Sequence, residues 1–333
     1  MFIRLVLPVC LIMVSCGSWA QTEHHGEHAA HSLTQDEFRE LREKVPLYRE
    51  FSDEQIMANM ARMGPNFRVY LSQPELRNNV GILALGHGYE PSGNETFKSA
   101  FTATGEIYPT AVSFGMAMMS SAPIQTAVDE LTAAGADTVL VIPVTTLKSG
   151  GLIGQWRYIV GEQDEAPWMS VPRVSSTARI ILGPTPTTDP LISRILLEHA
   201  LELSRDPRSE VVAMVAHGPD NSAANAKELV VLEQHAEIIR AGSGFAEVRA
   251  FTLQDDAPSA TRQANISRLR GWVEVAGETG HKVIVLTTLP VKGSVHKKIN
   301  RDLDGLNYKL VDKGVIEHPL FSDWIESVLA TNL

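Results

Sequence analysis

Between residues 80 and 290 the chain repeats one alternation: a short run of consecutive apolar positions, then a longer stretch with apolar positions every three or four residues. The runs "VGILALGHG", "TAVSFGMAM", "TVLVIPVTTL" and "TARIILG" predict four strands. "EVVAMVAHG", "EVRAFTLQ" and "HKVIVLTTLP" predict three more. Unbroken apolar character over a strand's length implies burial on both faces. Helical periodicity fills the gaps, in "NETFKSAFTATGEI", "PIQTAVDELTAAGA", "DPLISRILLEHALELS", "AANAKELVVLEQHAEIIRAG" and "SATRQANISRLRGWVEVAGETG". Asp189 is the expected cap of the third of these helices, with Pro190 at its first position. Strands alternating with helices predict an α/β protein, each sheet parallel with helices on both faces.

The pattern runs through twice. "LALGHGYEP" and "MVAHGPDNS" are both apolar strands ending in His-Gly, at His87 and His217. Ala122-Pro123 then corresponds to Ala257-Pro258, and Gly135 to Gly280. Two similar α/β domains, joined near residues 185–208, account for the repetition. Ahead of them, residues 33–63 read as two helices, with Ser32 and Ser52 as caps and Gly64 as a stop.

The first twenty residues follow another logic. Arg4 precedes an apolar core, and Ser18 and Ala20 supply the small residues of a secretory cleavage site before Gln21. That run is too short for a comfortable membrane span. The expected location is the periplasm, with no integral membrane span in the mature chain. The alternative is a lipoprotein anchored at Cys16. Both cysteines, Cys10 and Cys16, lie in this segment, so disulfides are not expected to hold the mature chain together. The formal charge of the 333-residue chain is −10, which argues against nucleic acid as a partner.

Candidate chemistry falls in three places. In open parallel sheets ligands bind beyond the carboxyl ends of the strands. His217 sits at such an end, His296 follows the next-but-one strand, and Asp255 and Asp256 follow the strand between. These four are the predicted catalytic residues, with His217, His296 and His87 as candidate metal ligands. In the first domain Ser120-Ser121 stand where the Asp pair stands. Gly151 or Gly154, depending on the register chosen, stands opposite His296, so that half reads as degenerate. Second, His24, His25, His28 and His31 form a leader dense enough in imidazole to capture divalent metal. Third, Lys292, Lys297, Lys298 and Arg301 cluster around His296 as a candidate binding surface for substrate carboxylates.

The segments "ALGHGYEPSGNETF", "APIQTAVDELTAAGADTVLVIPV", "LGPTPTTDPLISRILLEHA" and "GHKVIVLTTLPVKGSVHKKI" together resemble the CbiX-type sirohydrochlorin cobaltochelatases, members of the class II tetrapyrrole chelatases. The resemblance spans roughly residues 78–330 and rests on the order and spacing of the motifs. It implies two chelatase-like domains, over residues 78–188 and 189–333. These follow a signal peptide (1–20), the His-rich leader (21–32) and an N-terminal helical segment (33–77). The implied activity is that of a lyase: insertion of divalent cobalt or iron into a tetrapyrrole such as sirohydrochlorin, as in cobalamin biosynthesis. Metal and tetrapyrrole are then the partners, and no organic cofactor is implied. A neutral histidine can ligate the metal or take a pyrrole proton near pH 7, which suits His217 and His296 to those two roles. The alternative is a non-catalytic periplasmic tetrapyrrole- or metal-binding protein that retains the fold. A hydrolase is disfavoured, because the chain holds no G-x-S-x-G elbow. A phosphatase of the Arg-His-Gly type fails because neither His-Gly is preceded by Arg.

Overall fold

A computed structural model describes residues 33–62, 64–148 and 150–333 of the chain. The signal segment and the four leader histidines, His24, His25, His28 and His31, lie outside the described residues. The first sheet contains β1 (Phe67–Tyr70), β2 (Val80–Gly86), β3 (Thr110–Phe114), β4 (Thr138–Pro143) and β5 (Arg179–Leu182). Its order is β1-β3-β2-β4-β5, with β1 antiparallel to β3 and the other pairs parallel. The second sheet contains β6 (Glu210–Ala216), β7 (Glu247–Thr252), β8 (Lys282–Thr287) and β9 (Tyr308–Leu310), ordered β7-β6-β8-β9 and parallel throughout. Without β1, the two orders are the same topology. The register repeats as well: Gly86 lies opposite Phe114 as Ala216 lies opposite Thr252.

The helices are α1 (Gln35–Lys44), α2 (Asp53–Arg62), α3 (Pro91–Ala100), α4 (Thr102–Ile107), α5 (Ala122–Ala133), α6 (Gly151–Ile159), α7 (Pro190–Leu203), α8 (Ser222–Ser243), α9 (Ser259–Glu278), α10 (Ser294–Asp302) and α11 (Leu320–Asn332). The cap of α1 is Thr34, two residues past the predicted Ser32, because its hydroxyl accepts from Glu37 N while Glu37 returns a bond to Thr34 N. Ser52 caps α2 as predicted, in a reciprocal pair with Gln55. Asp189 accepts from Leu191 N at the head of α7, with Pro190 at the first position.

Strand periodicity explains why both domains read as continuous apolar runs. Even positions Ile82, Ala84, Val212, Met214 and Ala216 all face one central core. There the two sheets share packing with α3, α7, α8 and α11. Odd positions Leu83 and Leu85 face a second core, covered by α1, α2, α5 and α6. Val211, Ala213 and Val215 face a third, covered by α9 and α10. Burying such an aliphatic side chain is worth about 1.5–3 kcal/mol, so neither face tolerates a polar residue cheaply. Among the described residues no helix is long and apolar enough to cross a membrane.

Candidate functional site

Both strand-end histidines sit where the order of their sheet reverses, His87 beyond β2 and His217 beyond β6. In each case the next residue is a glycine in the left-handed region, Gly88 at φ +86° and Gly218 at φ +75°. That conformation turns the glycine carbonyl back beneath the preceding imidazole. His217 Nδ1 lies 2.9 Å from the Gly218 carbonyl oxygen. A carbonyl only accepts, so Nδ1 carries the proton, and in the neutral ring Nε2 keeps its lone pair. At His217 the His-Gly pair is therefore a device for fixing the tautomer.

Gly218 also has no room for a side chain. A Cβ there would lie 2.8 Å from the Thr252 Cβ and 3.1 Å from Gln254 N. The Gly218→Ala variant should lose at least the ~1–2 kcal/mol of a left-handed non-glycine residue, read as a lower urea midpoint. Gly271, inside α9 with open space around it, is the control. Gly271→Ala should stabilise by about 0.5–1 kcal/mol. Equal losses at both sites would sink this account of Gly218.

The surroundings of His217 divide the two aspartates. Asp256 Oδ2 lies 3.5 Å from His217 Nε2, and its side chain is 61% exposed. Asp255 Oδ2 lies 4.0 Å away, but its side chain is only 2% exposed and fully engaged. Arg262 Nε donates to its Oδ1 at 2.7 Å, and Lys298 Nζ to its Oδ2. Burial alone would raise the Asp255 pKa; the hydrogen bonds from Lys298 and Arg262 outweigh it and hold the carboxyl below its ordinary value. Asp255 is thus a fixed anion, whereas the Asp256 carboxyl is open to solvent. Next to them Gln254 adopts φ +49°, and its side-chain amide donates to the Pro219 carbonyl at 3.1 Å. A left-handed non-glycine residue costs about 1–3 kcal/mol, and here it braces the turn that carries His217.

His296, predicted to work beside His217, has partners of its own inside the chain. His296 is 2% exposed on the first turn of α10. Its Nδ1 accepts from Gly293 N at 3.3 Å, and its Nε2 lies 3.2 Å from the Thr287 hydroxyl. Both ring nitrogens are used inside the chain, and burial lowers the ring's pKa. The histidine within electrostatic reach of His217 is His87. Burial lowers the His87 pKa to about 4, with His217 as the second cause; backbone acceptors and Asp256 only partly offset them. His87 is thus neutral at pH 7. It packs against Tyr89 with ring centroids 4.3 Å apart. The first domain thus places its strand-end histidine near enough to His217 for the two rings to feel each other's charge. Helix starts settle the open register, since Gly150 matches Gly293 as the cap residue, which places Ile153 opposite His296.

Each residue of the predicted carboxylate-binding cluster has an acidic neighbour in the chain. Lys292 pairs with Asp312 at 2.5 Å, Lys297 with Glu90 at 2.7 Å, Lys298 with Asp255, and Arg301 with Asp302 at 2.9 Å. These charges are already spent on internal partners, and the Lys297–Glu90 pair joins the two domains. Arg262 was missed altogether. It bridges Asp255 and Asp302, and a basic residue in a helix's first turn, seven positions after a candidate acid, was the available signal. Among the described residues no group of three or more His, Cys, Asp or Glu side chains could hold a metal ion.

No family model matches the chain, and neither does any curated protein. Solved structures do. The Fe3+-bound SirB of Bacillus subtilis aligns with a TM-score of 0.57 at 15% identity, over 76% of this chain and 95% of SirB. CbiX, described as the terminal enzyme for sirohaem biosynthesis in denitrifying bacteria, aligns with a TM-score of 0.50 at 15% identity. That alignment covers 77% of this chain and 100% of CbiX. The fold is that of the class II chelatases. Within this fold each sheet carries one strand-end histidine, and the antiparallel β1 is an addition to the predicted parallel sheet.

Proposed function

We propose that the protein inserts a divalent metal, cobalt or iron, into a tetrapyrrole such as sirohydrochlorin. The supporting observation is the His217 turn: a bare Nε2, its tautomer fixed by Gly218, with an exposed carboxylate at 3.5 Å and a second, neutral histidine, His87, within electrostatic reach. Metal insertion needs exactly balanced protons: M2+ enters and two pyrrole N–H protons leave. Nε2 of His217 takes a proton or holds the incoming ion, and Asp256 stabilises the resulting imidazolium and hands the proton to solvent. Neutral His87 offers the second nitrogen. Imidazole suits both Co and Fe, and metal here is substrate.

The test is an absorbance titration of the full chain with sirohydrochlorin and with a dicarboxylate porphyrin, each with and without Co2+ or Fe2+. Metal-dependent conversion of the free-base spectrum at catalytic protein concentration supports insertion. Tight binding with no conversion for any pair overturns it in favour of the binding-protein reading.

We assign this activity to the periplasm, after cleavage before Gln21, with the leader histidines collecting metal. Mass spectrometry of the isolated protein should find Gln21 at the N-terminus; a lipid on Cys16 would establish the anchored alternative. A chain beginning at Ser32 should bind fewer divalent ions by calorimetry yet melt at the same temperature without metal. Unchanged stoichiometry would make the leader a spacer.

A further inference from the structure

Beside the His217 turn lies an open cavity of about 450 Å³ that the proposed chemistry does not use. Ser222 and Asn225 of α8, Gln254 beyond β7, and Thr261, Asn265 and Arg268 of α9 line it, and no acidic side chain does. The N-termini of α8 and α9, helices of 22 and 20 residues, both contribute to it. Aligned peptide dipoles place partial positive charge and free N–H groups at such ends. No side chain caps α9.

Two side chains mark the cavity as a site. Arg268 is exposed and has no ion-pair partner among the described residues, unlike the four basic residues around His296. Asn225 is only 8% exposed, and its side-chain oxygen has no hydrogen-bond partner. Its neighbours are engaged: Gln254 Nε2 donates to the Pro219 carbonyl, and Asn265 Nδ2 donates to the Leu253 carbonyl and to Gln254 Oε1. Buried amides are ordinarily satisfied. The Asn225 amide nitrogen bonds nothing among the described residues either, so it is a free donor beside Arg268 and the hydroxyls of Ser222 and Thr261.

We infer that this cavity is a carboxylate subsite that seats one peripheral carboxylate arm of the tetrapyrrole. The inference rests on the proposed function for the identity of the arm; the anion chemistry stands on the cavity itself. Asn225 and Gln254 both pack on Gly218, so a seated arm lies against the turn that carries His217. The subsite orients the macrocycle and touches no reacting atom. Arg268 is a positioning residue.

The experiment compares the full chain with Arg268→Gln and Arg268→Lys. Substrates are sirohydrochlorin, with eight carboxylates, and a dicarboxylate porphyrin; succinate is the free-anion probe, followed by NMR shifts. Losing one charge-assisted contact should raise KM and Kd for sirohydrochlorin about tenfold, with kcat and melting temperature unchanged and Arg268→Lys partly restored. Equal sirohydrochlorin affinity in wild type and Arg268→Gln overturns the subsite and leaves the function standing. If wild type binds no tetrapyrrole yet shows succinate shifts that Arg268→Gln abolishes, the anion site stands and its assignment to a macrocycle arm falls. Binding of neither overturns both.

Discussion

Replacing His217 with alanine should lower the rate of metal insertion by about 10²–10⁴-fold, the usual cost of removing a positioned general base. The loss should fall mainly on kcat, because Nε2 acts when protons leave and the ring contributes little to holding a large macrocycle. His87→Ala should cost a similar factor. Sequence reasoning ranked His87 below His296, since His87 had no visible partner in its own domain. The surroundings favour the opposite order: the His217 charge acts on His87, while both nitrogens of His296 are bonded inside the chain. His296→Ala should therefore act mostly on stability. It leaves the Thr287 hydroxyl and Gly293 N without their partner in a buried place, at about 1–3 kcal/mol. Single-turnover spectroscopy on the three variants, with urea melts in parallel, checks the order. An inactive, fully stable His296→Ala beside an active His87→Ala would return the site to the second domain alone.

The sequence made the layers of this fold readable because both faces of each central strand are buried. Apolar side chains at Ile82 and Leu83, or Met214 and Val215, leave no other interpretation. The repeat was readable for the same reason. The edge strand β5 was readable from Ile180–Leu182, but β1 (FRVY) and β9 (YKL) were not, because each sets a charged residue among its few apolar ones. Nor was α6, where Gly151 and Gly154 weaken the helical signal. At the site the residue types were readable but their partners were not. Lys297 meets Glu90 across 207 positions, a distance that no motif spans. Lys298 looked like free positive charge and is the clamp on Asp255. The approach of His87 to His217 is likewise a property of two domains folded together. The repeat itself carried the overlooked signal: equivalent strands end in equivalent histidines, and each glycine behind them needs a positive φ.

The clamp leads to the second large effect. Asp255→Asn should destabilise the protein by about 2–4 kcal/mol at pH 7, toward the lower part of the range for a broken buried ion pair. The discount has a structural reason. Arg262 keeps Asp302 at 2.6 Å, and Lys298, with a side chain 38% exposed, can turn to water. The pH dependence separates charge from packing. Asp255 titrates below its ordinary value in the folded protein, so its contribution is complete above the unfolded value near 3.8 and fades as pH falls through the lower, folded one. Wild type and Asp255→Asn should therefore differ most at pH 6–7 and converge as the pH falls below 3.8 toward the lowered folded value, provided both still fold there. Urea denaturation across that range is the measurement. A gap that stays constant with pH would mean that Asp255 matters for its shape and not its charge. Activity adds an independent reading. Asp255 N donates to the His217 carbonyl at 3.3 Å, a backbone bond that the asparagine keeps. Asp256, with no buried partner to hold it, remains available to His217. Insertion by Asp255→Asn at low urea should thus survive within about tenfold, while Asp256→Asn, stable as wild type, should lose more of the rate than of the fold.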